Sequence, residues 1–297
     1  MGDIHIPTIP SQGPAEPGQG ATTQPRAFPD ETDGLIVLQD ELRPRAADAL
    51  SADPFRLPAA PLIGGCFVAF ARGEAGPGRP GDRAFAAAVV WRPGDEALLR
   101  RRRGGVPARS EGRALRGTRR DGPRQAADVV EQAVVQSVVG AAYMPGLLAL
   151  REGPILAAAV AALARAPDVL LVDASGADHP RRAGLAVHLG WALDLPTVGI
   201  TRRPLRASGD VVGRGAGDEA AWVRGWWSPL RLDGDVVAAS VCTRTGARPV
   251  VAHAGWRTDV ETAVAVALGA STEGARAPVP LQEARRVARE ARDLAQA

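Results

Sequence analysis

A chain of 297 residues, 45% hydrophobic and 23% charged, can bury a large core, which points to one soluble globular domain with room for a disordered end. Cys66 and Cys242, far apart in apolar runs, exclude a disulfide framework or a thiolate metal site, and the apolar runs fall short of a membrane span. With no signal-like N-terminus, a cytoplasmic protein without membrane attachment is the expectation, and a net charge of +3 is too small to predict a nucleic-acid partner by itself.

Residues 1–32, rich in Pro, Gly, Gln and Thr, read as a disordered tail ahead of a domain over 33–297. Leu35, Leu38, Leu42 and Ala46 lie near helical spacing and predict a helix over 35–50, after which Pro54, Pro58 and Pro61 mark a linker. The apolar runs 62–70, 84–91 and 129–139 read as three antiparallel strands. Between the second and third lies an Arg-rich insertion: residues 92–124 carry eleven Arg against four acids, +7 in net charge, which leaves −4 for the rest of the chain. Such a segment is either a solvated loop or a non-specific polyanion binder. That all 36 basic residues are arginine is ascribed to genome composition.

Further along, 153–166 predicts a helix opened by Pro154, and 168–173 a short strand buried on both faces and ending in Asp173. A helix over 181–193 and a buried strand over 196–201 follow. Short strands at 220–227, 236–243 and 249–253 and helices over 257–269 and 281–296 complete the chain. Strands first, then strands alternating with helices, imply an α/β fold with a mixed sheet flanked by helices.

Chemistry concentrates between Tyr143 and Arg206. Asp173 stands at the C-terminal end of a buried strand, where open α/β sheets place ligands, although an Asp there also caps turns. Glu152 precedes Gly153-Pro154; it is either an acid favoured by a helix N-terminus or a second carboxylate converging with Asp173 on a hard cation. His179-Pro180-Arg181-Arg182 opens the next helix and offers N–H groups and positive charge to phosphate, unless the arginines simply face solvent. Arg202 and Arg203 follow the next buried strand toward the same sheet edge. Tyr143-Met144-Pro145-Gly146 is a rigid turn whose tyrosine, the only one in the chain, either packs locally or wedges between bases.

The segments YMPG, LREGP, LLVDASGADHPRRAGLA and LPTVGITRRPL resemble the endonuclease V family, and so do ELRPR, LIGGCFVAF, TRTGARPV and PVPLQEARRVARE. The resemblance covers about residues 35–297 without the Arg-rich insertion. It implies an RNase H-like fold, a monomer, and Mg²⁺-activated hydrolysis of a phosphodiester 3′ to a deaminated base such as inosine, in DNA or RNA. Position by position, Glu152 and Asp173 match metal-binding carboxylates; Tyr143, Pro145 and Gly146 match the strand-separating wedge; His179 and Arg181 lie in the matching HPRR block. Arg202 stands where the family usually has Lys.

Two departures bear on catalysis. Phe67 occupies the position of the family's first-strand Asp, and Trp256 that of a His that supports the metal site. A phenyl ring cannot coordinate Mg²⁺, and its volume is expected to intrude where ions and water belong; His253 and Asp259 are the nearest substitutes in sequence. Three readings therefore stand side by side: a Mg²⁺-dependent nuclease with impaired activity, an inactive relative that binds damaged or single-stranded nucleic acid, and a scaffold recruited for protein contacts.

Overall fold

The computed structural model describes residues 25–73, 78–94, 128–209, 222–272 and 274–297. Most of the tail predicted over 1–32 and nearly all of the Arg-rich insertion lie outside the described residues. In chain order the elements are α1 (Thr32–Ala52), β1 (Ile63–Phe70), β2 (Arg83–Arg92), β3 (Asp128–Val138), α2 (Leu148–Ala161), β4 (Val169–Val172), α3 (Leu185–Leu193), β5 (Thr197–Thr201), β6 (Trp227–Leu232), β7 (Asp235–Val241), β8 (Val250–Ala254), α4 (Val260–Gly269) and α5 (Val279–Leu294).

All eight strands join one mixed sheet in the order β3-β2-β1-β4-β5-β8-β7-β6. β1, β4 and β5 run parallel at its centre, and every other pairing is antiparallel. The sheet is apolar on both faces because each face is covered. Cys66 and Val68 of β1 and Leu170 and Val172 of β4 pack with α1, α2 and α3. Val169 and Leu171 of β4 point the other way, into the cluster beneath α4 and the start of α5. Side chains alternate along a strand, so Asp173, next after Val172, returns to the α5 side together with Phe67 and Ala69.

Three expected boundaries shift. The second helix begins at Leu148 rather than at 153, so Glu152 is its fifth residue and Pro154 lies inside it. The run from Leu148 extends the helix backward because Ala149, Leu150 and Arg151 are all buried there. Arg151 is held by Asp82, Nη2 to Oδ2 at 2.6 Å, and donates from Nη1 to the carbonyls of Ala141 and Arg79 at 2.7 and 3.0 Å. Its guanidinium also lies 4.2 Å from the Phe70 ring centroid. In the third helix, His179–Arg182 forms a turn ahead of the helix instead of opening it: Arg182 has φ +59°, and α3 starts only after Gly184. The strand expected at 220–227 is not formed over 222–226, which is a turn; β6 begins only at Trp227 and runs on to Leu232.

Residues 25–31, placed in the tail by composition, pack against the domain. Phe28 stacks on His188 at 6.3 Å and touches Gly153, and Arg26 lies 5.4 Å from the Trp191 ring.

Candidate functional site

The parallel pairing of β1 with β4 sets Cys66 level with Val172, which makes Phe67 the lateral neighbour of Asp173. Glu152 approaches from α2. Burial pushes the Cys66 thiol far up, and Asp173 and then Glu152 push it further, so both carboxylates act electrostatically on this end of β1. Burial likewise raises the Glu152 carboxyl to about 7; Arg151 opposes the rise and Asp173 adds to it.

Linkage makes the Glu152 shift testable. The folded form holds this proton to a higher pH than the unfolded chain does, so the contribution to stability is complete below about pH 4.5 and is lost as pH rises toward 7. Glu152→Gln is expected to flatten that decline and to stabilise the protein above pH 7 by up to about 3 kcal/mol. Urea unfolding at a series of pH values reads it directly; parallel curves for variant and parent would remove the buried-proton explanation.

Beside Asp173 stands a cation supplied by the chain. Arg285 of α5 donates from Nη2 to Asp173 Oδ2 at 2.6 Å, and its guanidinium carbon lies 4.9 Å from the centroid of the Phe67 ring. One helical turn on, Arg289 reaches the same ring at 6.0 Å. Gly65 allows this approach: a Cβ there would run into the backbone of Pro280 and Leu281, so only glycine lets the start of α5 lie so close to β1. A phenyl ring suits a guanidinium, whose charge its face attracts. A divalent cation is poorly served by the same set. Phe67 offers no donor, Asp173 is already engaged, and Glu152 keeps its proton to near neutrality. Among the described residues no group of three His, Cys, Asp or Glu side chains is placed to hold a metal ion.

The Tyr143–Gly146 turn is held from below. Gly146 has φ +80°, a conformation that favours glycine, and its carbonyl accepts from His179 Nε2 and from Gln39 Nε2, each at 2.9 Å. Arg181 N donates to His179 Nδ1 at 3.2 Å, which assigns the proton to Nε2 and leaves the ring neutral. Burial lowers the His179 pKa, the Gly146 bond opposes that shift, and Arg181 adds to it. Tyr143 and Pro145 remain exposed above this clamp, the tyrosine by 46%. Arg181 donates to Gln39 Oε1 at 3.3 Å and lies 3.8 Å from Asp40, so it braces the turn from α1. Arg182 is committed to the Leu232 carbonyl at 2.6 Å.

Arg202 is exposed at the end of β5. Its loop is anchored by Asp178, which is fully buried and accepts from the backbone N–H groups of Leu205, Arg206 and Ala207 at 2.6, 2.8 and 2.7 Å. His253 braces the same loop, with Nε2 2.8 Å from the Thr201 hydroxyl and Nδ1 3.7 Å from Asp178. Burial drives the His253 pKa down to about 4 despite Asp178, so the ring is neutral. Asp259 caps α4 by accepting from Thr262 N at 2.7 Å. His253 and Asp259 are thus occupied in structural bonds.

Trp256 fills an apolar cluster with Leu42, Ala183 and Val187, and its carbonyl accepts from Thr197 N at the start of β5, the opposite end of that strand from Arg202. Phe67 does stand beside Asp173. Sequence reasoning missed Arg285, Gln39 and Asp178; the one available signal was the Arg285/Arg289 pair, four residues apart on an amphipathic helix.

The sequence pattern described as Endonuclease V matches residues 123–286. Curated relatives include the Endonuclease V of Roseiflexus castenholzii, 41% identical over 135 residues, which cover 46% of this chain and 57% of that protein. That of Nocardia farcinica is 39% identical over 162 residues, covering 54% and 67% respectively. The chain spans about three-fifths of the length of the first curated relatives it matches, from 57% to 61%. Among solved structures, the Endonuclease V of Streptomyces avermitilis superposes with a TM-score of 0.69 at 29% identity, covering 93% of this chain and all of that one. A Ciona intestinalis Endonuclease V in complex with DNA containing an inosine matches at TM-score 0.58 and 19% identity, over 89% of this chain and 99% of its own, a likeness of fold alone. The sheet and its flanking helices are RNase H-like, as the resemblance implied.

Proposed function

The chain belongs to the endonuclease V family, and from that premise we propose that it binds single-stranded or damaged nucleic acid, DNA or RNA, at a deaminated base such as inosine without metal-dependent cutting. The observation that carries this reading is the guanidinium of Arg285, bonded to Asp173 and lying over Phe67 where a cation and its third carboxylate ligand would be needed. A permanent positive charge there satisfies Asp173 electrostatically but supplies no open coordination position, so no hydrolytic step is routed through a metal. Recognition needs none. Tyr143 is free to stack on an unpaired base, the His179–Gln39 clamp keeps its turn from yielding, and Arg202 contacts phosphate.

The mutual electrostatic influence of Glu152 and Asp173 favours the competing reading, Mg²⁺-dependent hydrolysis at reduced rate. Incubating an inosine-containing single strand with the protein in Mg²⁺ or Mn²⁺, beside Glu152→Ala and Asp173→Ala, separates the two. An uncut strand that is nevertheless bound is the expected result. Cutting that disappears in both variants would establish the hydrolase and sink the binding-only proposal.

In the full chain we expect a monomer and no membrane attachment. Among the described residues no helix is long and apolar enough to cross a membrane.

A further inference from the structure

We propose that Arg202, Arg244, Arg248 and Arg276 form a second phosphate subsite, one that takes the sugar-phosphate backbone of a nucleic-acid single strand irrespective of its bases. The proposal rests on the binding function above and adds where the strand runs after it leaves the wedge.

Three loops meet at one end of the sheet to make this cluster. β5 pairs Thr201 with Val251, which sets Arg202 level with Val250 at the start of β8. Arg276, from the loop between α4 and α5, donates from Nη2 to the Pro249 carbonyl at 2.9 Å, next to that same position. Thr243 of the β7–β8 turn holds the Arg276 carbonyl at 2.5 Å, and Arg244 reaches Gly274 at 3.5 Å. Arg202, Arg244 and Arg248 are exposed around the half-buried Arg276.

Among the described residues, the charges gathered around Arg276 are of its own sign. Arg276 Nε is buried with no hydrogen-bond partner. Burial, then Arg202, Arg248 and Arg244, hold its pKa below the ordinary guanidinium value; among the described residues the charged groups acting on it are these three arginines. Gathering four guanidinium groups costs free energy through like-charge repulsion, and an anion bridging them relieves it. Planar guanidinium forks suit phosphate oxygens in particular.

Position supports the same ligand. β4 and β5 are parallel with Val172 level with Gly199, so Asp173 is level with Ile200 and Arg202 lies two residues farther, roughly 7 Å along the strand direction. The subsite therefore continues the sheet edge that carries Asp173, the edge at which open α/β sheets bind ligands.

The test is binding of a fluorescein-labelled oligodeoxythymidylate, followed by anisotropy from about 50 to about 200 mM NaCl, the range in which counterion release dominates. The strand lacks inosine, so it reports backbone contact. Arg244→Gln combined with Arg248→Gln is expected to make the log K against log salt slope shallower by about 0.7 to 1.4, since each phosphate contact to a single strand contributes about 0.7. Tyr143→Ala should weaken binding while leaving the slope as in the parent. A parental slope in the arginine variant, with binding otherwise intact, overturns the subsite and leaves the wedge reading standing. Absence of any single-strand binding by the parent protein overturns both. Because Arg244 and Arg248 are exposed, the variant should melt at the parental temperature, and a cooperative melt excludes unfolding as the cause of a changed slope.

Discussion

Replacing Phe67 by Asp and Arg285 by Ala together is expected to convert the carboxylate centre into a measurable divalent-cation site. Titration calorimetry with Mn²⁺ should then show binding in the range of about 10⁻⁴ to 10⁻³ M, typical of weak oxygen-ligand sites, where the parent shows none. The two substitutions are needed for different reasons. Phe67→Asp alone places a carboxylate beside Asp173, at the lateral position set by the β1–β4 pairing, but Arg285 remains within reach to neutralise the pair. Arg285→Ala alone frees Asp173 yet leaves the Phe67 ring where a ligand is needed. Only the double change lets Glu152 and Asp173 act with a third carboxylate, and a bound dication would in turn strip the proton that burial now keeps on Glu152. Trp256 is best left alone, since it closes the α1–α3 cluster and its replacement by a smaller polar group opens a cavity there. Parental protein that binds Mn²⁺ as tightly as the double variant would refute this account of the site.

Tyr143→Ala is expected to weaken binding of an inosine-containing single strand about 5- to 150-fold, the equivalent of one base–aromatic stack at about 1–3 kcal/mol. Tyr143→Phe should retain most of the affinity, because the stacking face and not the hydroxyl provides the contact. The magnitude depends on the clamp. An exposed aromatic on a free loop would lose part of this energy to ordering, whereas the Gly146 carbonyl is already tied to His179 and Gln39. Anisotropy titration of the three proteins against the same labelled strand checks it. Equal affinities for parent and Tyr143→Ala would show that the tyrosine is turn packing and not a wedge.

The fold was largely legible in the linear pattern. The apolar runs that became β1, β2, β4, β5 and β8 are short or continuous and bounded by turn residues, and strands covered on both faces demand such runs. Helix starts were less legible. The Pro154 signal placed the beginning of α2 five residues late, because burial of Arg151 against Asp82, a contact 69 residues away in sequence, extends the helix backward. The HPRR block looked like a helix N-terminus, but its histidine turns to the Gly146 carbonyl and Arg182 adopts a left-handed conformation.

At the candidate site the division is similar. Residue identities alone carried the family resemblance, and with it the roles expected of Glu152, Asp173 and Tyr143 and the apolar Phe67 where that resemblance implies a carboxylate, since each is a matter of which side chain stands in which local motif. Tertiary structure alone decided which cation faces Asp173. Arg285 lies 112 residues from Asp173, and only the close passage of α5 over Gly65 brings its guanidinium to that oxygen. It also decided that Trp256 packs in the core, and that four arginines from three loops gather at one sheet edge. Charge and packing act through distance in space, and the strand register and helix packing that set those distances are written in no single segment of the chain.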